Sequence, residues 1–204
     1  MNFLVEFFYA AILGFFSQNL AFELGVGTGN LFKLSVDKTS RRRYFFIIML
    51  VTTLAATAIT YIVDAYVISY AVTNYSIREC VRGFVFVAVI AAIEVGFEFL
   101  LAWCAPNFRK TLGDNLPSAC MNTGVLAILL LNRQFEYGLL ESELFALMAV
   151  LGFIVSVLLI QVLRERVALV RCPKTMNGVP LALLATAILS LAFAGLTNMN
   201  FPYL

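Results

Sequence analysis

Apolar residues fill six stretches of this chain, near positions 2–22, 44–71, 81–104, 118–132, 143–163 and 179–199, and polar or charged residues collect between them. A helix needs about 20 apolar residues to cross a hydrocarbon core. Backbone in lipid must also hydrogen-bond within its own segment, so each stretch predicts a membrane helix. The second and third stretches are long enough to cross at a tilt. The first and fourth are interrupted: "FFSQNLAFELGVGTGN" (15–30) closes the first, and "LPSACMNTG" (116–124) opens the fourth. The expected fold is all-α, a single membrane domain over 1–204, with three helices in 1–104 and three in 105–204.

Composition agrees with the pattern. The chain is 62% hydrophobic with a mean hydropathy of +0.93, far above the roughly 45–50% apolar share of soluble domains. Met1 to Phe22 carries Glu6 and lacks a basic leading region, so it reads as a retained first helix and not as a secretory signal. The placement of the cations adds orientation. Lys33, Lys38, Arg41, Arg42 and Arg43 lie in the first loop, Arg109 and Lys110 in the third, and Arg164, Arg166, Arg171 and Lys174 in the fifth. Arg78, Arg82 and Arg133 lie in or beside the other two. Basic loops stay in the cytoplasm, so both termini are expected outside the cell membrane.

Three spans per half invert the second half relative to the first, and the two interruptions then fall at corresponding places, in the first helix of each half. One reading makes them broken helices that meet near mid-membrane, the fourth presenting backbone amides and the Cys120 thiol from the turn after Pro117. The other makes the fourth a short tilted helix with ordinary polar ends.

Histidine is absent, which removes Ser/His/Asp and Cys/His catalysis and the commonest metal ligand. "GVGTGN" lacks the GxGxxG spacing of a phosphate cradle, so Gly25, Gly27 and Gly29 read as packing or unwinding glycines. Cys80, Cys104 and Cys172 show no CxxC spacing and are expected to act as small hydrophobes. Asp64, Glu94 and Glu98 lie within apolar spans, where carboxylates mark ion paths. They could equally accept hydrogen bonds from Arg82, Tyr61 or backbone at helix ends. Arg164, Glu165 and Arg166 read as a cytoplasmic anchor or as a dock for soluble subunits, and Arg41–Arg43 as an anchor for the second helix. The lipid bilayer is an expected partner and nucleic acid is not.

"LRERVALVRCPKTMNGVPLALLATAILSLAFAGL" (163–196), "LPSACMNTGVLAILLLN" (116–132) and "TAITYIVDAYVI" around Asp64 resemble the Rnf/Nqr family of membrane subunits, which includes RnfA, RnfE and the Nqr subunits D and E. The outward termini fit the RnfA branch. The resemblance implies a subunit of an Rnf-type electron-transport complex that moves Na⁺ or H⁺. It also implies an inverted RnfE-like paralogue beside this chain and a [2Fe–2S] cluster held between them by cysteines of the broken helices. The family's first cysteine belongs in the interruption "LGVGTGN" (24–30), which includes Gly27, and its second falls on Thr123, with Cys120 three residues earlier, about 4.5 Å along a helix. Gly27, Thr123 and Cys120 are therefore the cofactor-site candidates, Cys120 the one candidate iron ligand, and the ligand set is incomplete. With neither histidine nor a phosphate-cradling motif, no catalytic residues are expected in this chain itself, and the chemistry belongs to a cofactor and to partner subunits. A cluster-less structural relative, or a six-helix substrate-binding module of a transporter, are the alternatives.

Overall fold

The computed structural model describes residues 3–17, 19–22, 24–25, 39–69, 75–104, 106, 109, 112, 115–167 and 179–197. Gly27, Gly29, Lys33, Lys38, Lys110, Arg171, Cys172 and Lys174 lie outside them. Among the described residues every regular element is helical. α1 (Phe3–Ile12) continues as a π-helical turn over Leu13–Ser17; α2 is Thr39–Val63, with a second π turn over Asp64–Ile68; α3 is Tyr75–Cys104; α4 is Asn115–Cys120; α5 is Thr123–Gln134; α6 is Leu139–Val167; α7 is Val179–Thr197. Among the described residues four stretches are long and apolar enough to cross a membrane: Arg41–Tyr66, Ile77–Cys104, Asn115–Gln134 and Leu139–Val167.

α2 and α6 form the centre. α6 packs on α1, on the π turn that follows α1, and on α2, α5 and α7, while α2 also packs on α3, α4 and α5. The buried stripe of α6 runs Phe145, Ala146, Ala149, Val150, Phe153, Val157 and Ile160, the three- and four-residue spacing of one helix face. It meets Leu20, Phe45, Met49, Val125, Ile128 and Leu129 in one core. α3 lies at the edge, where Phe84, Phe99 and Trp103 are each more than three-quarters exposed. In a bilayer such a face suits lipid or a neighbouring subunit.

The approach of α1 to α6 depends on two glycines. A Cβ on Gly14 would sit 2.8 Å from the Phe145 carbonyl oxygen, and one on Gly152 would sit 2.7 Å from the Phe15 carbonyl oxygen. Backbone therefore meets backbone, as small residues allow between membrane helices.

The fourth helix is broken, but one turn later than the sequence suggested. Pro117 lies inside α4, where the helix is regular, because a proline in the first turn displaces no helical hydrogen bond. The helix stops after Cys120 and restarts at Thr123 from Asn122, whose backbone is extended at ψ 130°.

Candidate functional site

Two polar places stand out inside the apolar bundle: the turn at Asn19 that interrupts the first helix together with the break in the fourth, here called the two breaks, and a cavity around Asp64.

The breaks share a device. At the first, Asn19 is 1% exposed. Its Oδ1 accepts from the Ala21 and Phe22 amides, each at 3.1 Å, and from Ser156 Oγ at 2.9 Å, while its Nδ2 donates to the Gly152 carbonyl at 3.2 Å. At the second, Asn122 Oδ1 accepts from the Gly124 amide at 2.9 Å. Asn122 thus caps the start of α5, and Asn19 satisfies the amides of the turn that follows the π-helical end of α1. The breaks also adjoin: a Cβ on Gly124 would lie 3.5 Å from Leu20 Cδ1 and 3.4 Å from Met49 Cε.

Cys120 is fully buried beside the second break, its Sγ 3.3 Å from Thr52 Oγ on α2. Thr123, which takes the family's cysteine position, is exposed on the other side of the break. A four-thiolate cluster shared evenly between two inverted subunits needs two thiolates from this chain, one at each break. The sequence has no cysteine before Cys80, Cys120 faces its own α2, and Cys80 and Cys104 are exposed on α3. No group of three metal-binding side chains occurs among the described residues. The donors present thus do not fit that cluster in its expected form.

The second place lies where α2, α3 and α5 converge. Asp64, 6% exposed, opens the π turn that ends α2. Arg82 Nε of α3 donates to its Oδ1 at 2.7 Å, and Arg133 Nε of α5 lies 3.1 Å from its Oδ2. Arg82 also donates to Glu79. Losing Arg82 would leave buried Asp64 only the 40% exposed Arg133, and losing Asp64 would leave buried Arg82 only Glu79, so the arrangement ties three helices together at one end. Beside it opens a cavity of about 230 Å³. Its wall includes the loop after α5, where Glu136 adopts a left-handed φ of 54°, a conformation rare in non-glycine residues. In that loop, burial pushes the Tyr137 phenol up to about 12, with Tyr9 and Glu141 adding to the effect.

The three acidic candidates are not brought together. Asp64 meets α3 at Arg82, whereas Glu94 and Glu98 lie 12 and 16 residues further along α3, about 18 and 24 Å away at 1.5 Å per residue. Glu98 faces Arg109 at 3.9 Å with both side chains about half exposed. Glu94 is partly buried in mid-helix. Arg82 as the partner of Asp64 was one of the sequence readings. Arg133, Asn19, Ser156 and Thr52 were missed, although each is a polar residue set in or beside an apolar run and was visible as such.

Residues 7–200 match the family model described as "Rnf-Nqr subunit, membrane protein". The chain is 32% identical over 145 residues to the A subunit of the "Na(+)-translocating ferredoxin:NAD(+) oxidoreductase complex" of Acetobacterium woodii, covering 71% of this chain and 73% of the relative. It is 34% identical over 139 residues to the A subunit of the "Ion-translocating oxidoreductase complex" of Actinobacillus pleuropneumoniae serotype 5b, covering 68% and 69%. To the protein of the same description from Aromatoleum aromaticum it is 39% identical over 114 residues, covering 56% and 59%.

Proposed function

The chain belongs to the Rnf-Nqr family of membrane subunits, and from that premise we propose that it serves as the RnfA-type component of an Rnf-type complex that couples electron transfer to Na⁺ or H⁺ movement across the cell membrane. The observation that carries this is the family match across 7–200, joined to a broken fourth helix lying against a turn in the first. In this reading the two halves are inverted repeats, both termini face outside, and an inverted RnfE-like paralogue docks beside the breaks. The skew of Lys and Arg toward alternate loops supports the orientation.

Electron relay through a cluster at these breaks is a separate matter, and the donor set favours a subunit that keeps the architecture without the shared [2Fe–2S] centre. Thr123 stands exposed where a thiolate would face the paralogue, and the Cys120 thiol is engaged with Thr52. What this chain contributes is then scaffold and ion-handling surface, and the redox groups belong to its partners.

The test is anaerobic purification of the intact complex through a tag on this chain, with iron and acid-labile sulfide measured per complex and low-temperature EPR recorded, for wild type and Cys120→Ser. Co-purification of a paralogous membrane protein with unchanged iron in Cys120→Ser is the expected result. Loss of a cluster signal in Cys120→Ser would restore the relay, and failure to recover any partner would remove the complex assignment.

A further inference from the structure

The start of α2 and the end of α6 come together, and both ends are basic. Buried Arg42 donates to Gln161 Oε1, and Gln161 Nε2 donates to Glu165 Oε1 at 3.0 Å. This contact fixes the two helix ends side by side, with the helices running in opposite directions. Arg41 and Arg43 flank it on α2, and Arg164 and Arg166 on α6. Five arginines thus share these ends with one glutamate, and that glutamate is turned onto Gln161. The residues beside the contact follow a pattern. On α2, Arg43, Ile47 and Leu50 come one, five and eight positions after Arg42; on α6, Leu158 precedes Gln161 by three positions, and Val162 and Arg166 follow it by one and five. At about 100° per residue, all six lie roughly 60–140° round their helix from the contact residue, in the same sense. Antiparallel neighbours are related by a two-fold axis across the pair, so equal rotations from the contact lead to the same side. Arg43 and Arg166 therefore stand over one groove, whose walls below them are Ile47, Leu50, Leu158 and Val162. Leu50 is partly buried, while Ile47, Leu158 and Val162 are 42–59% exposed. Arg43 and Arg166 are exposed, and neither has an ion pair among the described residues.

We propose that this groove is a binding site for one anionic phospholipid, its phosphodiester held by Arg43 and Arg166 and its acyl chains laid on Ile47, Leu50, Leu158 and Val162. The order of the residues is the order of the ligand. The apolar spans begin at Arg41 and end at Val167, which sets the arginines at the depth of lipid headgroups and the apolar walls at the depth of the chains. A guanidinium matches phosphate oxygens with paired N–H donors. Arg41 and Arg164 add to the local positive field, so a zwitterionic headgroup would bring its own cation among like charges, and a lipid of net negative charge is favoured. An acidic soluble protein would satisfy the arginines and leave the apolar walls beneath them uncovered. The leaflet that supplies the lipid rests on the orientation proposed above; the recognition itself does not.

The experiment uses the purified complex in phosphatidylcholine nanodiscs, both leaflets carrying a small share of a phosphatidylglycerol probe with a diazirine in its acyl chain. Light crosslinks the bound probe, and digestion with mass spectrometry locates the adducts and measures their yield. A phosphatidylcholine probe of the same chains runs in parallel. Wild type should carry adducts on 47–51 and 158–162, several-fold richer with the phosphatidylglycerol probe. Arg43→Gln and Arg166→Gln should each lower that yield about fivefold below saturation, the scale of one surface arginine on an anionic lipid. Arg109→Gln, which removes an exposed arginine elsewhere on the chain, should leave it unchanged. If a groove variant fails to assemble, the wild-type ratio of the two probes still decides. Equal labelling by both probes would make the groove an ordinary lipid boundary and overturn the site. Displacement of the phosphatidylglycerol adducts by inorganic phosphate would show a free-anion site, and crosslinks from these residues to a partner subunit in place of lipid would show a protein dock; either would overturn it.

Discussion

The two helix breaks use the same residue type and use it differently. Asn19 engages every polar atom of its side chain, to its own turn and to Gly152 and Ser156 on α6. Asn122 caps the Gly124 amide, and its Nδ2 is buried without a partner. The first break is a fastening between distant parts of the chain. The second leaves one buried donor unsatisfied, next in sequence to exposed Met121 and Thr123. A fully satisfied polar network holds one geometry, while a partly satisfied one carries the cost of its unpaired group and holds its geometry less firmly.

That contrast predicts a graded series. Asn19→Ala should be the most damaging, lowering stability by about 2–4 kcal/mol, because it leaves two buried turn amides without their acceptor and removes the side chain that bridges that turn to α6, although Ser156 Oγ keeps the Gly152 carbonyl at 2.9 Å; thermal unfolding of the purified protein reads it. Ser156→Ala added to Asn19→Ala should then cost little more, since both act in one network. Gly152→Ala comes next at about 1–3 kcal/mol, the scale of an overpacked contact, because its new methyl would press on the Phe15 carbonyl. Asn122→Ala should cost only about 1 kcal/mol, the typical value of one cap. If it matched Asn19→Ala, the distinction between the breaks would fall. Thr52→Val should be milder still, roughly 0.5–1 kcal/mol for one net hydrogen bond, and its readout is access of Cys120 to a maleimide.

The smallest expected effect is a pH response in the loop after α5. The Tyr137 phenol is raised in the folded protein, from about 10 to about 12. The folded state therefore holds its proton more tightly than the unfolded chain does, and the contribution is fully present below pH ~10 and is lost as pH rises through ~12. Tyr137→Phe should flatten that loss in an alkaline unfolding series.

How much of this was legible in the sequence follows from the physics of apolar helices. Hydropathy located the helices, because crossing lipid requires long apolar runs, and "LPSACMNTG" located the fourth break to within one turn. It did not reveal the buried side of α6. Every face of that helix is apolar, so Phe145, Ala149 and Phe153 look like their lipid-facing neighbours. The useful signals were the small and polar exceptions, Gly152, Ser156 and Thr52, but pairing them needed the fold. Asn19 and Ser156 lie 137 positions apart, and nothing local ties them. Asp64 was found for its charge, yet its second cation, Arg133, sits at the end of another helix and read as part of a loop.

The same separation bears on how the protein is made. Asn19 leaves the ribosome early, and its acceptors and donors on α6 are not synthesised until some 133 to 137 residues later. At roughly 5–20 residues per second that is on the order of 7–27 s. Through that interval the first helix carries a bare glycine contact, and the turn after it a polar asparagine, with no dock to receive either. The contacts that hold the first helix and its turn to α6 can therefore form only once α6 has been made, and the bundle closes around its first helix last in that sense.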